Sequence, residues 1–458
     1  MRRLLVITGA VLSLLLIPAA AEAHPLGNFT INTYDGLRVT PRALEIDHVI
    51  DMAEIPTFQQ RTQIDSDHNG TISGAEATTY AASACAGVGR ALTATVAARA
   101  ISLTVKASQI AFPPGAGGLP TMRVTCSLEG ILSSGPHELS FTDPTFSDHI
   151  GWHEITALGD RTTLAGSSVP TNSISARLTH YPQDLLRSPL DVRQATFSFK
   201  PGGPPAPVDA ANAAGQQTRG VDALTRAFTN LVASHRASVP FAILALLFAI
   251  VLGGMHALAP GHGKTVMAAY VVGRRGSFRQ SALIATTVTA THTIGVVLIG
   301  IVLTASRALA PERVYPWLGF ASGMLLIVIG VTMVRARMRA QAHTHDHSHE
   351  PAPVGVRGLL AMGFVGGMVP SPSALIVLLG AIALGRLWFG ILLIAAYGAG
   401  MGVTLAGAGL LMVRLRARLE RNPSHGWARR STALIPILAA CVVLLLGIAT
   451  AARGLAQI

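Results

Sequence analysis

Three histidines set in apolar sequence are the residues most able to do chemistry. His256 and His262 flank the dipeptide Pro260-Gly261, and His292 lies near the centre of the next apolar run. Ionisable side chains are costly inside a membrane span and therefore indicate a functional site. Imidazoles at similar depth suit a borderline divalent metal such as Ni²⁺, Co²⁺ or Zn²⁺. The alternative is that these histidines form structural hydrogen bonds between helices.

Other polar groups accompany the histidines. Lys264 could keep an empty site from closing, or could extend its amine to the membrane surface. Ser371 and Ser373 lie in a second proline break, where they serve as ligands or cap the helix ends. A histidine-rich segment precedes that break and is typical of a labile metal-binding loop. The supporting threonines are Thr291 and Thr293, and the loop histidines are His343, His345, His347 and His349.

Residues 65–76 match the twelve-residue EF-hand calcium loop position by position. Gly70 supplies the sharp turn, and helices are predicted on both sides, over 51–64 and 74–91. Ca²⁺ needs oxygen ligands from several directions, and this spacing provides them. A metal-free turn is the alternative. The predicted ligands are Asp65, Asp67, Asn69, the Thr71 carbonyl, Ser73 and Glu76.

The composition indicates the class of protein in which these groups lie. Half of the 458 residues are hydrophobic, 13% are charged and the mean hydropathy is +0.47. Soluble domains carry about 25% charged residues, so an ordinary cytosolic enzyme is excluded. Disorder is excluded as well, because the chain has too much apolar surface to remain in water. Membrane helices are the structure that this composition favours.

The first residues predict that the segment after them is exported. Two arginines, an apolar run over 4–17 and the small-residue site Ala21-Glu22-Ala23 are typical of a secretory signal peptide over 1–23. An uncleaved anchor is the alternative. In an oxidising compartment Cys85 and Cys126 could form a disulfide, and two buried free thiols are the other possibility.

Residues 24–200 alternate apolar and polar residues in short segments, which predicts half-buried strands. We expect a β-sandwich-like exported domain, periplasmic or extracellular, into which the EF-hand over 51–91 is inserted. Residues 201–236 are predicted to form a linker and a helix that leads into the membrane.

Six apolar segments lie within 237–454, a predicted all-α membrane domain. The first and fourth are broken at Pro260-Gly261 and at 370–373, which indicates two inverted three-helix repeats. Transporters of this layout bind substrate near the midplane between the broken helices. The predicted cytoplasmic loops hold 13 arginines and the opposite loops 4, so the topology agrees with the positive-inside rule. This bias explains much of the net charge of +12 without a nucleic-acid partner.

The segment 256–265 reads His-Ala-Leu-Ala-Pro-Gly-His-Gly-Lys-Thr. With this segment and its histidine-rich loop, the chain resembles the nickel/cobalt transporter family, in particular its efflux-type branch, over 239–452. The start at 24–30 also looks like the N-terminal domain of some members. Uptake permeases of the family carry an aspartate between their paired histidines, where Pro260-Gly261 stands here. Relatives usually have cysteine in the second break, where this chain has Ser371.

The resemblance implies a secondary transporter that exports Ni²⁺ or Co²⁺ across a bacterial inner membrane and is not an enzyme. His256, His262 and His292 would bind the ion, the loop would collect it, and Ca²⁺ would be structural. The partners are then divalent metal ions and the lipid bilayer.

The segment 263–265 resembles the end of a nucleotide-binding loop but lacks the required glycine at 258. The alternatives are an uptake permease, an intramembrane hydrolase and a membrane-anchored sensor.

Overall fold

The computed structural model describes most of the chain, and its residues fall into two compact units, one within 22–226 and the other within 227–458. Several predictions lie outside the described residues: the signal peptide, most of the linker, the first proline break with His262 and Lys264, and the histidine-rich loop. The described residues are 28–115, 119–133, 137–182, 185, 189–206, 239–258, 277–305, 311–342, 355–383, 385–420 and 426–456.

The first unit contains two five-stranded sheets. One has the strand order β5-β6-β2-β1-β8 and the other β4-β3-β7-β10-β9. Neighbours pair antiparallel except β1 and β8, which are parallel. The strands are β1 (Ile31–Val39), β2 (Ala43–Met52), β3 (Thr93–Val96), β4 (Arg99–Ala100), β5 (Leu103–Ala111), β6 (Met122–Ile131), β7 (His137–Thr142), β8 (His153–Gly159), β9 (Thr162–Ala165) and β10 (Gln194–Pro201).

Strand alternation builds the core between the two sheets. Leu37 and Ile46 of the first sheet and Phe141 and Phe197 of the second belong to one buried cluster. Successive side chains of a strand point to opposite faces, so alternate residues meet across the interior. This architecture confirms the prediction of a β-rich N-terminal part.

Two helices, α1 (Glu54–Ile64) and α2 (Gly74–Ala91), follow β2. The sequence pattern predicts that the first begins at residue 51. It begins three residues later, because β2 continues through Met52 to complete its pairing with β6. A disulfide joins Cys85 of α2 to Cys126 of β6, so the helix is fixed covalently to the sheet.

The second unit is helical. Among the described residues, four helices are long and apolar enough to cross a membrane: Val239–Leu258, Phe278–Thr304, Val314–Arg335 and Leu387–Arg414. The full helices are α3 (Val239–Leu258), α4 (Phe278–Ala305), α5 (Pro311–Ala342), α6 (Val356–Gly367), α7 (Pro372–Ala383), α8 (Leu387–Glu420) and α9 (Gly426–Ala456).

The fourth predicted apolar segment forms two short helices, α6 and α7, which are separated at residues 368–371. Helix α8 packs against both α3 and α4, whereas α5 packs against α9. Glycines permit the closest approaches: a Cβ added at Gly253 of α3 would lie 1.8 Å from the Tyr397 carbonyl oxygen of α8. Small residues at such interfaces allow helix backbones to pack closely within a membrane.

Candidate functional site

Two of the three predicted histidines come together in the helical unit. His256 lies in the last turn of α3 and His292 lies midway along α4. The centroids of their rings are 5.7 Å apart. His292 is buried with 6% of its surface exposed, and His256 is partly buried. Two imidazoles at this separation are close enough to face a common ligand after small side-chain rotations.

The second proline break, at residues 370–373, also contributes to the site around His256 and His292. The Nε2 atom of His292 is 3.2 Å from the Ser371 hydroxyl and accepts a hydrogen bond of 3.2 Å from the Ser371 backbone N–H. The buried Ser371 thus positions His292 across 79 residues of sequence.

Tyr397 of α8 also belongs to this group, and sequence reasoning did not select it. Its ring centroid lies 5.8 Å from that of His256. Its phenol interacts with the side chains of Ser371 and Ser373 in the second proline break. Both predicted serines therefore lie near the histidines. A tyrosine in the middle of an apolar helix is the signal that could have identified it.

The predicted threonines pack α4 against its neighbours. A Cβ at Gly367 of α6 would lie 3.0 Å from the Thr291 Cβ and 2.3 Å from the Val288 carbonyl oxygen. One at Gly398 of α8 would lie 2.4 Å from the Thr293 hydroxyl. These contacts fix the position of α4, and with it His292, between α6 and α8.

In the other unit, residues 65–76, the predicted calcium loop, connect α1 to α2. The Asp65 carboxylate accepts hydrogen bonds from the backbone N–H groups of Asn69 at 3.1 Å and Gly70 at 2.9 Å. Gly70 has a φ of +83°, which is the left-handed turn that favours glycine. Asn69 in turn accepts from the Thr71 N–H at 2.8 Å, so the loop curls around its own oxygens.

Glu76 closes this loop. Its carboxylate accepts from the Ser66 N–H at 2.7 Å and from the Ser73 N–H at 2.9 Å, and Ser73 caps α2 in return. Hydrogen bonds from Ser73 lower the pKa of Glu76 to about 2. One oxygen each from Asp65, Asp67 and Glu76 lie within 4.8 Å of one another. Carboxylate oxygens are the ligand type that a hard divalent cation prefers.

The chain is similar to curated transport proteins. A protein of Methanocaldococcus jannaschii named as a nickel/cobalt efflux system is 30% identical over 219 residues, which are 47% of this chain and 97% of that protein. The nickel/cobalt efflux system RcnA of Citrobacter koseri is 39% identical over 80 residues, 17% of this chain and 28% of that protein. RcnA of Escherichia coli K12 is 37% identical over 82 residues, 17% of this chain and 29% of that protein. No family model and no solved structure matches.

Proposed function

Because the chain belongs to the nickel/cobalt transporter family, we propose that it exports Ni²⁺ or Co²⁺ across the membrane that its apolar helices span. The observation that carries this proposal is the meeting of His256, His292 and Ser371 at the second proline break. His262 completes the proposed ligand set, and Lys264 supports it. The inner membrane, with the sheet-containing unit outside the cytoplasm, is the location that the predicted signal peptide and the arginine distribution favour.

The ligands suit transient binding. Imidazole nitrogens suit Ni²⁺ and Co²⁺, and a serine hydroxyl adds little affinity compared with the thiolate of a cysteine. The Nε2 atom of His292 can hold either Ser371 or a metal ion, so binding at this atom requires the second break to move away. Metal binding would thereby be coupled to movement of the break, as alternating access requires.

The histidine-rich loop would collect the ion on the cytoplasmic side and deliver it to this site. Metal binds to neutral imidazole, so proton uptake by the histidines would release the ion. An inward proton gradient is thus the energy source that this chemistry favours.

Intracellular metal content, measured by mass spectrometry, tests the proposal. Cells would express the wild type, His256→Ala, His262→Ala or the control His137→Ala, in which the histidine lies on β7 of the sheet unit. After loading with Ni²⁺ or Co²⁺, we expect cells that express the wild type or the control to contain less metal than cells without the transporter. Either membrane variant should restore the metal to the level of cells without the transporter.

The same measurement distinguishes the alternatives. More metal in wild-type cells than in empty cells would mean uptake and would reverse the proposed direction. Equal metal in all strains, with the protein present in the membrane, would refute metal transport under these conditions.

For the sheet unit we propose a structural Ca²⁺ in the loop of residues 65–76, because three carboxylates converge there. Single extracellular sites bind at about 10⁻⁴–10⁻³ M, so Ca²⁺ at about 5 mM should add about 1–2 kcal/mol of stability. Thermal unfolding of the full chain with Ca²⁺ or with chelator tests this. Glu76→Gln should abolish the Ca²⁺ effect. The control His68→Asn should retain it, because His68 is exposed and has a φ of +57°, which asparagine tolerates.

A further inference from the structure

A second cluster of ionisable side chains lies inside the sheet unit, between the two sheets. Asp35 of β1 and His48 of β2 occupy paired positions, and Asp143 follows β7 of the opposite sheet. Their side chains are 1%, 0% and 3% exposed. On this inner face the adjacent pair of residues, Leu37 of β1 and Ile46 of β2, belongs to the apolar core. Three such groups in an apolar interior are costly unless they are paired or bind metal.

The ligand atoms of the three side chains lie close together, and His48 Nδ1 and Asp35 Oδ1 share a hydrogen bond. The Nδ1 atom of His48 is 2.8 Å from Asp35 Oδ1 and 4.0 Å from Asp143 Oδ2. The other oxygen of Asp143 accepts hydrogen bonds from the Thr145 N–H at 2.8 Å and hydroxyl at 2.5 Å, which leaves Oδ2 for the cluster. One ligand atom from each residue lies within 4.8 Å of the others.

These separations are near those of a metal site. Nitrogen and oxygen ligands lie about 2.0–2.1 Å from Zn²⁺, so the ligand atoms of a tetrahedral site are roughly 3.3 Å apart. The distances of 2.8 Å and 4.0 Å from His48 Nδ1 lie on either side of that value. Each side chain would therefore move by less than about 1 Å to enclose an ion.

The charge of the cluster also favours a cation. Two carboxylates and one imidazole gather here, and ionised carboxylates in an apolar interior need a compensating positive charge. A divalent cation would balance both and leave the imidazole neutral, as metal ligation requires.

Hydrogen bonds leave two buried ring nitrogens in this region unsatisfied, although neither is the Nδ1 atom of His48 that contacts the carboxylates. Within the described part of the chain, Nε2 of His48 and Nε2 of His153 have no hydrogen-bond partner. His153 lies on β8 opposite Thr33, which is on the same face of β1 as Asp35, and its Nδ1 is 2.8 Å from the Thr33 hydroxyl. Such orphaned nitrogens in a core call for an explanation.

We propose that Asp35, His48 and Asp143 form a buried binding site for one borderline divalent transition metal of the class of Zn²⁺, Co²⁺ and Ni²⁺. One nitrogen and two carboxylate oxygens are a donor set for these ions, whereas Ca²⁺ takes six to eight oxygens and soft ions prefer sulfur. This site is separate from the calcium loop and from the membrane histidines. It gives the sheet unit a metal-binding role that does not depend on the direction of transport.

Cobalt serves as the probe, because Co²⁺ can be counted and its visible spectrum reports its ligands. The full chain would be purified in detergent with saturating Ca²⁺, stripped with a transition-metal chelator and titrated with Co²⁺. The parent protein would carry alanine at the membrane and loop histidines, so that their sites do not contribute. The variants are Asp35→Asn, His48→Gln and Asp143→Asn, and the matched control is His137→Gln. The parent's substituted positions are His256, His262, His292, His343, His345, His347 and His349.

The parent and the control should each retain one tightly bound Co²⁺ with an oxygen and nitrogen coordination spectrum. Each cluster variant should bind it at least about 100-fold more weakly, since even loss of a group that only supports a ligand costs 10–100-fold. Equal Co²⁺ binding by the parent and the Asp35→Asn protein would overturn the proposal.

Amide hydrogen exchange of the protein with an intact cluster tests the proposal even if these variants fail to fold. Amide hydrogen exchange of the parent would be recorded with and without Zn²⁺. We expect slower exchange in β1 and β2, the strands that the ion would join. Exchange in these strands that is unchanged by Zn²⁺ would mean that the cluster is only a buried hydrogen-bonded group, and would also overturn the proposal.

Discussion

Replacing Gly253 or Gly400 with alanine should separate α3 from α8 and impair transport. The two glycines approach the opposite helix reciprocally. A Cβ at Gly253 would lie 1.8 Å from the Tyr397 carbonyl oxygen, and one at Gly400 would lie 1.9 Å from the Ile250 carbonyl oxygen. Both obstacles are backbone atoms, so no side-chain rotation can relieve the clash.

The size of the effect can be worked out from these distances. Ordinary contact begins at 3.4 Å, so each alanine requires the backbones to separate by about 1.5 Å. Overpacking of this kind costs about 1–3 kcal/mol or more. Alanine favours a helix over glycine by about 1 kcal/mol, which offsets only part of that cost. Gly407 of α8 is the matched control, because a Cβ there would meet nothing within 4 Å.

Separation of α3 from α8 would also disturb the histidine site. Gly253 precedes His256 by three residues, so α3 cannot move at one without moving the other. The ring contacts of His256 with His292 at 5.7 Å and Tyr397 at 5.8 Å would open. We therefore expect a lower unfolding temperature and loss of Co²⁺ export together.

Two assays check this expectation. Thermal unfolding in detergent should show Gly253→Ala and Gly400→Ala below the wild type, and Gly407→Ala equal to it or above it. Cellular Co²⁺ content should rise to the level of empty cells only with the first two variants. If Gly253→Ala unfolds and transports like Gly407→Ala, the proposed close approach of α3 and α8 is wrong.

Three further predictions concern single contacts. Ser371→Ala should retain more Co²⁺ export than His292→Ala, because the Ser371 backbone N–H still binds Nε2 of His292; equal loss in cellular metal assays would contradict this. Reducing the Cys85–Cys126 disulfide, which spans 41 residues, should lower the free energy of unfolding by about 4 kcal/mol. Chemical denaturation with and without reductant measures this change, and an unchanged denaturation midpoint would refute it. Zn²⁺ should raise the unfolding temperature of the parent protein, which lacks the membrane and loop histidines. It should leave the unfolding temperature of the Asp143→Asn variant of this parent unchanged, and differential scanning calorimetry measures both.

The local features of this protein are determined by the sequence itself. The proposed calcium loop can be predicted because its proposed ligands lie within twelve consecutive residues and its turn requires Gly70. Strands and apolar helices are likewise recognisable, because a period of two or a long apolar run depends on neighbouring residues alone. The boundary between β2 and α1 is harder to place from sequence, because pairing with β6 determines where β2 ends.

Tertiary structure decided which distant residues meet. His292 and Ser371 are 79 residues apart, and only the packing of α4 against the second break joins them. Asp35 and His48 lie on paired strands of one sheet and Asp143 follows a strand of the other, and the residue alternation in each of these strands looks ordinary. Tyr397 likewise gains its place beside His256 only because glycines let α8 approach α3. Spacing along a chain specifies which face a residue occupies, but the partner across that face depends on topology and close packing.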